Sequence, residues 1–535
     1  MPSTTHEELH QSLYPRKHKG IFSSLSQTVN RPEYEEKIAQ RLSEAVKIPT
    51  VVGDGMGHMG EDPEWEIFYS FSQWLKNTFA LIYEHLTHTT VNEHAHLFTW
   101  QGTDQSLKPL LLMAHTDVVP VSGSCTDTWT YEPFSGHYDG KYIWGRGSED
   151  DKSNVVVILS VIELLLGIDF KPARTIIVAL GFDEEGGAEK SYGARCLAEI
   201  ILQRYGRNGV ELIVSLLTAF YLQPATANES FSPQFDEGMP GLETRFGREF
   251  ALPANSEKGY LDVIMRINTP GGHSQEPPAH TGIGLLAQAI HIIEDNPLPP
   301  KVSADSPAVA WLRDAALYDK AFPDTLRSAF KENIDSSEIL SCITTQFKEL
   351  RGLIQTTTAV TIVHGGDKVN SLPESAYAMV NHRIAPHDSV RILKDHYISL
   401  LAPWAKKHQL AVHAFGENIS QPESALGTLT LTSDYDLDPS PISDPTDPRF
   451  ELLAGTIRGI FGDHIVVSPT ILLGNTDTRY YWDLATQIYR MSPWRASHDP
   501  RGTRMHTVDE RMPIDGLMEG VRFYLAFILN IDEYR

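Results

Sequence analysis

A short apolar run, Leu110 to Ala114, is followed directly by His115 and Asp117, and Pro120 then ends any regular strand pairing. The run has the length of a buried β-strand, and ligands in open α/β sheets gather at the carboxyl ends of strands. A histidine there can ligate a metal through one ring nitrogen while a nearby carboxylate fixes its tautomer. The alternative for this motif alone is a strand end that turns two polar side chains into solvent, so the other motifs decide.

Length and charge exclude several classes of protein. A chain of 535 residues exceeds one ordinary hydrophobic core, so we expect at least two domains. Its 69 acidic and 45 basic residues give a net charge of −24, which argues against nucleic acid or an anionic membrane as the main partner. No apolar run approaches the roughly 18 residues of a membrane span. The 3 cysteines form no C-x-x-C pair, so any metal has to be held by histidine and carboxylate.

Strand-like and helix-like stretches alternate along the first part of the chain. A strand that begins near Lys141 ends at a glycine turn, and another, from Thr175, ends at Asp183. The almost wholly apolar stretch 155–166 suits a buried helix. This alternation predicts an α/β fold with a mixed, mostly parallel sheet that is covered by helices on both faces.

An inserted second domain is predicted at about residues 259–418. Its elements follow the order strand, helix, strand, strand, helix, strand, which is typical of a ferredoxin-like α+β unit. The predicted elements are 259–268, 282–295, 359–364, 376–384, 389–407 and 410–414. Residues 300–356 resemble an inserted helical segment of this domain, and residues 423–449 resemble a loop. The remaining parts are a polar, weakly ordered arm (1–32) and a discontinuous large unit (33–258 and 419–535).

Candidate metal ligands follow several predicted strands. They are His115, Asp117, Asp150, Asp151, Asp183, Glu184, Glu185, Asp236, Glu237 and His506. Taken singly, each is more often a solvated or structural group, but their joint occurrence at strand ends favours a site for two divalent ions. Such donors fit zinc, with manganese or cobalt as alternatives. A carboxylate such as Asp150 can bridge two ions, and the pair Glu184 and Glu185 allows one to ligate while the other acts as general base.

Together these motifs resemble the di-zinc metallopeptidase family that includes carboxypeptidase S (Gly-Xaa carboxypeptidase) and the aminoacylases. The resemblance runs from about residue 33 to the end of the chain. It is carried by 113–120 (MAHTDVVP), 145–152 (GRGSEDDK), 182–185 (FDEE), 271–274 (GGHS), 366–370 (GDKVN), 381–383 (NHR) and 505–506 (MH), with Trp129, Pro133 and Phe134. It implies a zinc-hydrolase catalytic domain, an inserted lid domain (259–418) and two Zn²⁺ per chain.

The resemblance implies a role for each metal ligand. One zinc ion is held by His115, the other by Glu185 and His506, and both by Asp150 as a bridge. The last ligand of the first ion comes from Asp236 or Glu237, and the choice between these two stays open. The peptide bond between Asp150 and Asp151 is expected to be cis.

The resemblance also implies the catalytic and substrate-binding groups. Glu184 is the general base, and Asp117 orients the site near His115. From the lid, His273 donates a hydrogen bond to the developing oxyanion, and Arg383 grips a substrate carboxylate with help from Asn370. The alternative for Arg383 is an ordinary charge on a strand surface.

These roles imply a metallocarboxypeptidase that removes the last residue of short peptides of the Gly-Xaa type. Hydrolysis of N-acyl amino acids is the alternative activity, because both reactions use the same site. A third hypothesis is a non-catalytic binding protein, either metal-free or disabled by an insertion. Some relatives dimerise through the lid, so a homodimer is expected.

The segment 215–235 departs from the family, which runs almost directly from the strand near Val214 into its Asp-Glu-Gly motif. About twenty residues between a strand and a metal ligand exceed most connections. We interpret the segment as a translated intron, with a genuine surface loop as the alternative.

Targeting is the second departure. Carboxypeptidase S relatives often carry an N-terminal anchor or signal and act in the vacuole, whereas this sequence shows neither. The resemblance implies the vacuolar lumen, and the cytoplasm is the alternative. The sequons at Asn228 and Asn418 weakly indicate a secretory route.

Overall fold

The computed structural model describes residues 10–53, 55–123, 128–186, 192–215, 241–245, 247–303, 306–318, 320–331, 336–422, 425–495, 498, 502 and 504–535. Over these residues the helices are α1 (Lys19–Val29), α2 (Pro32–Val46), α3 (Ile67–Thr78), α4 (Ala80–His85), α5 (Lys152–Leu166), α6 (Tyr192–Tyr205), α7 (Gly282–Asp295), α8 (Pro307–Tyr318), α9 (Asp324–Lys331), α10 (Ser336–Thr345), α11 (Arg351–Ile354), α12 (Val390–Lys407), α13 (Pro448–Phe461) and α14 (Ile514–Glu533).

The strands are β1 (Thr87–Val91), β2 (Ala95–Trp100), β3 (Leu110–His115), β4 (His137–Tyr138), β5 (Tyr142–Trp144), β6 (Ile176–Gly181), β7 (Leu212–Ser215), β8 (Leu242–Arg245), β9 (Arg248–Ala251), β10 (Ala254–Glu257), β11 (Gly259–Asn268), β12 (Gly272–His273), β13 (Ala359–Gly365), β14 (Ser371–Leu372), β15 (Ser375–Ile384), β16 (Leu410–Ala414), β17 (Glu417–Ser420), β18 (Gly427–Leu437), β19 (Val466–Val467), β20 (Thr470–Leu472), β21 (Ile488–Arg490) and β22 (Arg511–Pro513).

The large unit is organised around a mixed sheet with the strand order β1-β2-β6-β3-β7-β21-β10-β20. Its centre, from β6 through β3 and β7 to β21, is parallel, and antiparallel pairs lie on either side. Successive residues of β3 point to opposite faces: Leu110 and Leu112 pack with α2, α5, α13 and α14, whereas Leu111 and Met113 pack with α6. Burial on both faces explains the continuous apolar runs of these strands. The predicted mixed α/β fold is confirmed.

A second sheet has the order β13-β15-β11-β18-β16-β17 and lies mostly in the segment that the sequence predicts as a lid, so this unit is called the lid below. In β11 and β15, buried side chains alternate with half-exposed ones, and α7 and α12 pack on the buried side through residues such as Leu286 and Tyr397. The opposite side carries Tyr260, Arg266 and Arg383, so one face of the lid sheet remains accessible.

One strand of the lid differs from the prediction. Residues 423–449 were expected to form a loop outside the lid, but β18 lies inside the lid sheet, between β11 and β16. The segment is rich in Ser, Thr, Asp and Pro, and this composition hides a period of two in which Leu429 and Leu431 are buried. Threonine is itself favoured in strands. The lid sheet therefore extends beyond the predicted boundary at 418.

The helices between residues 300 and 356 also differ from the prediction. They were expected to belong to the second domain, but α8 to α11 form a separate core with strands of the large unit. In this core Trp311 and Leu312 pack together with Phe250 of β9 and Ile471 of β20. Helical periodicity shows which side of a helix is apolar but not which neighbour covers it, so this partner has no signal in the sequence.

The predicted weakly ordered arm is wrong for the residues that the structure describes. Helix α1 packs against α14, and its Leu25 and Val29 are buried. The backbone N–H groups of Arg16 and His18 donate to the carboxylate of Glu533. The polar residues of α1 mask an apolar face with helical spacing. Among the helices of the described part of the chain, none combines the length and apolar character needed to cross a bilayer.

Candidate metal centre

The carboxyl ends of two neighbouring strands bring most of the candidate ligands together. His115 ends β3, and Glu184 and Glu185 lie in a single 3₁₀ turn just after β6. Because β3 and β6 are parallel and adjacent, these groups meet at one edge of the sheet. Asp150 comes from the turn between β5 and α5, and His506 comes from the loop before β22.

The Asp150 carboxylate lies between the two histidines. Its Oδ1 is 3.0 Å from Nε2 of His115, and its Oδ2 is 3.0 Å from Nε2 of His506. The same Nε2 of His506 is 3.0 Å from Oε1 of Glu185. One carboxylate thus faces two ring nitrogens that belong to distant parts of the sequence. The peptide bond between Asp150 and Asp151 is cis, as the resemblance implied.

Asp117 connects the two sides of this centre. Its Oδ1 lies 3.2 Å from Nδ1 of His115, and its Oδ2 accepts a hydrogen bond of 2.9 Å from the backbone N–H of Glu185. Asp151 accepts a hydrogen bond of 3.0 Å from the backbone N–H of His115. Both carboxylates are fully buried. With Nδ1 of His115 donating to Asp117, Nε2 is left as the nitrogen that can ligate.

The carboxylates determine the protonation of the two histidines. Burial alone lowers the pKa of an imidazole, but Asp117 and Asp150 raise the pKa of His115 well above its ordinary value. Asp150 and Glu185 likewise raise the pKa of His506 to about 12 against the effect of burial. Burial raises the pKa of Asp150, yet the two imidazoles hold it well below its usual range. The buried carboxylates therefore favour a positive charge between them, either on the imidazoles or on a bound cation.

The donor set fits divalent metal ions. One group joins His115, Glu184 and Glu185, and a second joins Asp150, Glu185 and His506; within each group the donor atoms lie within 4.8 Å of one another. Imidazole nitrogen and carboxylate oxygen are the donors of zinc and related ions. A buried carboxylate keeps its negative charge only beside a compensating positive charge, which a metal ion can supply.

The two remaining predicted metal ligands, Asp236 and Glu237, lie outside the described residues. So does the segment proposed as an insertion, with one exception. Ser215 is buried at the end of β7, where it pairs with Met113 of β3, and its carbonyl accepts from the backbone N–H of Met491. Ser215 therefore belongs to the sheet, and the start of the proposed insertion moves to residue 216.

The lid residues are less enclosed. His273 and Asn370 are exposed on a two-stranded ribbon of β12 and β14, where the backbone N–H of Ser274 donates to the carbonyl of Asn370. Arg383 on β15 is half-buried, with its guanidinium 4.9 Å from the ring centre of Tyr260. Its Nη1 donates a hydrogen bond of 3.2 Å to Oδ1 of Asn475, which belongs to the large unit. Arg383 thus joins the lid to the segment beside the metal centre.

Three supporting groups were missed in the sequence. Asn475 and Asp477 come after β20, as Asp117 comes after β3, but β20 was not predicted as a strand. A Cβ added at Gly181 would lie 2.9 Å from Oδ2 of Asp477, so this side chain packs against the end of β6. Burial raises the pKa of Asp477 to about 6. The third group, Glu510, follows His506 by four residues, a spacing that alone predicts no contact.

The chain is similar in sequence to known proteins over most of its length. The sequence profile of peptidase family M20/M25/M40 matches residues 111–530. Carboxypeptidase S of Saccharomyces cerevisiae is 35% identical over 525 residues, which cover 96% of this chain and 87% of the relative. The mouse N-fatty-acyl-amino acid synthase/hydrolase PM20D1 is 30% identical over 508 residues, with coverage of 94% and 89%.

A solved structure shares the fold. The di-peptidase Dug1p of Saccharomyces cerevisiae superimposes with a TM-score of 0.60 at 15% identity, over 97% of this chain and 99% of that structure. At this identity the likeness concerns the fold, which agrees with the mixed sheet described above.

Proposed function

The chain belongs to peptidase family M20/M25/M40 and is a metallopeptidase; from this premise we propose that it is a zinc-dependent carboxypeptidase that removes the last residue of short peptides, with a preference of the Gly-Xaa type. The likeness to carboxypeptidase S over 96% of the chain supports the substrate class. The observation that carries the chemistry is the Asp150 carboxylate, whose two oxygens face His115 and His506 at 3.0 Å each.

Two zinc ions would be held by one shared and several separate donors. Asp150 would bridge the ions, His115 would hold the first, and Glu185 and His506 would hold the second. Asp236 or Glu237 would complete the first site. Ions bound there would act as Lewis acids toward the scissile carbonyl and would make water a stronger nucleophile near neutral pH.

Glu184 is the proposed general base. It is buried next to His115 and Glu185, where it can take a proton from the attacking water and return it to the leaving amine. Asp117 keeps His115 in the tautomer and orientation that leave Nε2 free. Asp117 thereby positions the ligand and does not exchange a proton with the substrate.

Arg383 is the proposed anchor of the substrate carboxylate. Asn475 accepts from only one of its N–H groups, and the planar guanidinium retains further donors for a carboxylate. A carboxylate bound at this boundary between lid and large unit fixes the end of the peptide and makes the enzyme an exopeptidase.

His273 and Asn370 are proposed to act when the lid closes. Nδ1 of His273 accepts a hydrogen bond of 3.2 Å from the backbone N–H of Gln275, so the ring proton resides on Nε2. This nitrogen can then donate to an oxyanion. Asn370 lies beside it on the ribbon, where its amide can contact the bound carboxylate end.

A homodimer through the lid is part of this proposal. Strand β13 forms the outer edge of the lid sheet, and Ile362 and Val363 are 47% and 59% exposed there. An exposed apolar edge strand is a ready site for pairing with a second copy. Sedimentation equilibrium should give a dimer that Ile362→Lys weakens; a wild-type monomer at micromolar concentration would refute this.

Hydrolysis of N-acyl amino acids is the second candidate activity. The likeness to PM20D1, whose name gives N-fatty-acyl-amino acids as its substrates, favours it. The same carboxylate anchor and metal centre would serve both reactions, because each substrate ends in a free carboxylate and each reaction releases an amino acid. The two differ in the group on the other side of the scissile bond.

We also propose the vacuolar lumen as the compartment, by resemblance to carboxypeptidase S, with the cytoplasm as the alternative. Asn418 begins the sequon Asn-Ile-Ser and is exposed on β17, so a glycan could be attached there. A shift in mass after endoglycosidase treatment of the native protein supports a secretory route. If every copy of Asn418 is unmodified and the protein fractionates with the cytosol, these results argue against the secretory route.

The decisive experiment uses the zinc-loaded protein and a dipeptide with a blocked N-terminus and Gly before the last residue. We expect release of the C-terminal amino acid, its loss with a chelator, and two zinc ions per chain by metal analysis. Cleavage of N-acyl amino acids alone would select the second activity. Absence of bound zinc after reconstitution would refute the enzymatic proposal.

A deletion variant tests the proposed insertion. Deletion of residues 216–235 leaves Ser215 in the sheet and joins β7 to Asp236. Equal or greater zinc content and activity in this variant support the interpretation as a translated intron, which transcript sequencing checks independently. Unfolding of the variant or loss of its zinc would show that the segment is a genuine part of the protein.

A further inference from the structure

Glu510 holds the turn that carries Asp150. Its Oε1 accepts hydrogen bonds from three backbone donors of this turn, at 2.8 Å from Gly147, 3.2 Å from Glu149 and 3.4 Å from Asp150. Its Oε2 accepts from the guanidinium of Arg146. The carboxylate is fully buried and Arg146 is nearly so. A single side chain thus satisfies the backbone around the carboxylate that faces both histidines.

The backbone of Glu510 extends this connection. Its carbonyl accepts from the N–H of Gly145 at 2.9 Å, and the residues that follow it form β22, which pairs with β5. The loop before Glu510 carries His506. Glu510 is therefore the point at which the loop of one candidate ligand is attached to the turn of another.

The His506 loop has an unusual backbone that needs such support. Arg504, His506 and Asp509 have φ angles of 62°, 57° and 65°. Residues other than glycine rarely adopt this left-handed region, and they persist there only where the surroundings hold them. Asp509 accepts hydrogen bonds from the N–H and hydroxyl of Thr130. The two acids after His506 thus fix the loop on both sides.

We propose that Glu510 is a positioning residue of the metal centre: it sets the distance between the Asp150 carboxylate and the His506 ring by tying their two loops together. This inference rests on the proposed function, since it takes Asp150 and His506 as metal ligands. Among the described residues, the Glu510 carboxylate bonds to backbone N–H groups and to Arg146, and not to the side-chain atoms proposed to hold metal. Partners that hold ligands in this way typically influence metal affinity and turnover by about 10- to 100-fold.

Glu510→Gln tests the proposal. The amide oxygen can still accept from Gly147, but the amide nitrogen then faces Arg146, and the charge-assisted hydrogen bond is lost. We expect zinc affinity, measured by competition with a chromophoric chelator, to fall by about tenfold. We expect kcat to fall while KM stays unchanged, because the lid residues that anchor the substrate are not altered.

The rescue variant is Glu510→Gln combined with Arg146→Gln. A glutamine pair can form complementary neutral hydrogen bonds, so zinc affinity should return toward the wild-type value. If Glu510→Gln does not fold, Arg146→Lys takes its place, because lysine keeps the charge and loses the planar fork. An intermediate loss of zinc affinity is then expected.

Glu163→Gln is the matched control. Its carboxylate also pairs with a nearly buried arginine, Arg41, but in the contact between α2 and α5 and without a bond to the metal loops. We expect it to lower the unfolding temperature without changing zinc affinity. The inference about Glu510 would be overturned if Glu510→Gln bound zinc as tightly as the wild type, or if Glu163→Gln lost as much zinc affinity as Glu510→Gln. Either result would leave the proposed function standing. A wild-type protein without bound zinc would overturn the proposed function as well.

Discussion

The candidate metal centre and the accessible face of the lid are built in opposite ways. At the centre, Asp117, Asp150 and Asp151 are buried and hydrogen-bonded to other buried groups. On the lid, His273 and Asn370 are exposed, and Arg383 makes one hydrogen bond to the large unit. The groups proposed for chemistry are fixed in advance, whereas the groups proposed for recognition still have contacts to make.

The difference follows from the burial of the metal centre and the exposure of the lid face. Buried charges are tolerated only when their partners are in place, so the centre has little freedom to rearrange. A recognition surface that is already satisfied would have to break its own bonds before it binds a substrate. We therefore expect substitutions at the centre to act on turnover and metal binding, and substitutions on the lid face to act on KM.

The largest expected effect is that of Glu184→Gln. The amide cannot accept the proton of the attacking water, so kcat should fall by about 10³-fold, within the usual range for general bases. Zinc content should stay at the wild-type value, as measured by elemental analysis. Glu185→Gln is the matched neighbour and should lose zinc together with activity. Similar zinc loss in both variants would contradict the proposal that Glu184 is the base and Glu185 a ligand.

Arg383→Lys should have the next largest effect. Lysine keeps the charge but loses the second N–H of a bidentate grip, so KM for a peptide with a free C-terminus should rise by about 30- to 100-fold. The value for a C-terminally amidated peptide should not change. Arg266→Lys is the control, because Arg266 stacks on Tyr377 at 4.7 Å on the same sheet face and shows no bond to Asn475. A rise in KM for both peptides would contradict the anchor.

The smallest expected effect concerns acid stability of the lid. Burial lowers the pKa of His382 to about 4, and its Nε2 accepts from Tyr397 at 2.7 Å while Nδ1 lies 2.9 Å from the carbonyl of Thr357. The folded state thus binds fewer protons than the unfolded state, whose imidazole titrates near pH 6.5. Stability is therefore lost as the pH falls through this window.

His382→Gln removes that titration. Between pH 7 and pH 5 the wild-type free energy of unfolding should fall by about 2 kcal/mol more than that of the variant. Denaturant titrations of both proteins at the two pH values measure this difference. An identical pH dependence in the two proteins would show that His382 does not contribute to the loss of stability in acid. Other groups would then be responsible for that loss.

The coming together of His115, Glu184 and Glu185 could be predicted from the sequence because its signals are local. His115 ends a recognisable strand, Asp150 follows a glycine turn and Glu184 follows another strand, and a parallel sheet brings such ends together. By contrast, β18 was hidden by its composition, and the packing of α8 to α11 on β9 and β20 is a contact between distant segments. Nothing in the sequence around Glu510 indicates that it bonds to a turn more than three hundred residues earlier.

The end of the chain has a consequence for protein synthesis. His506 and helix α14 come from the last thirty residues of the sequence, and α14 packs against α5 and against α1 near the start. Until these residues have been synthesised, the side of α5 that packs on α14 stays uncovered, and the ring that faces Asp150 does not yet exist. We therefore expect a chain that terminates before His506 to expose this apolar surface and to lack one candidate ligand of the metal centre.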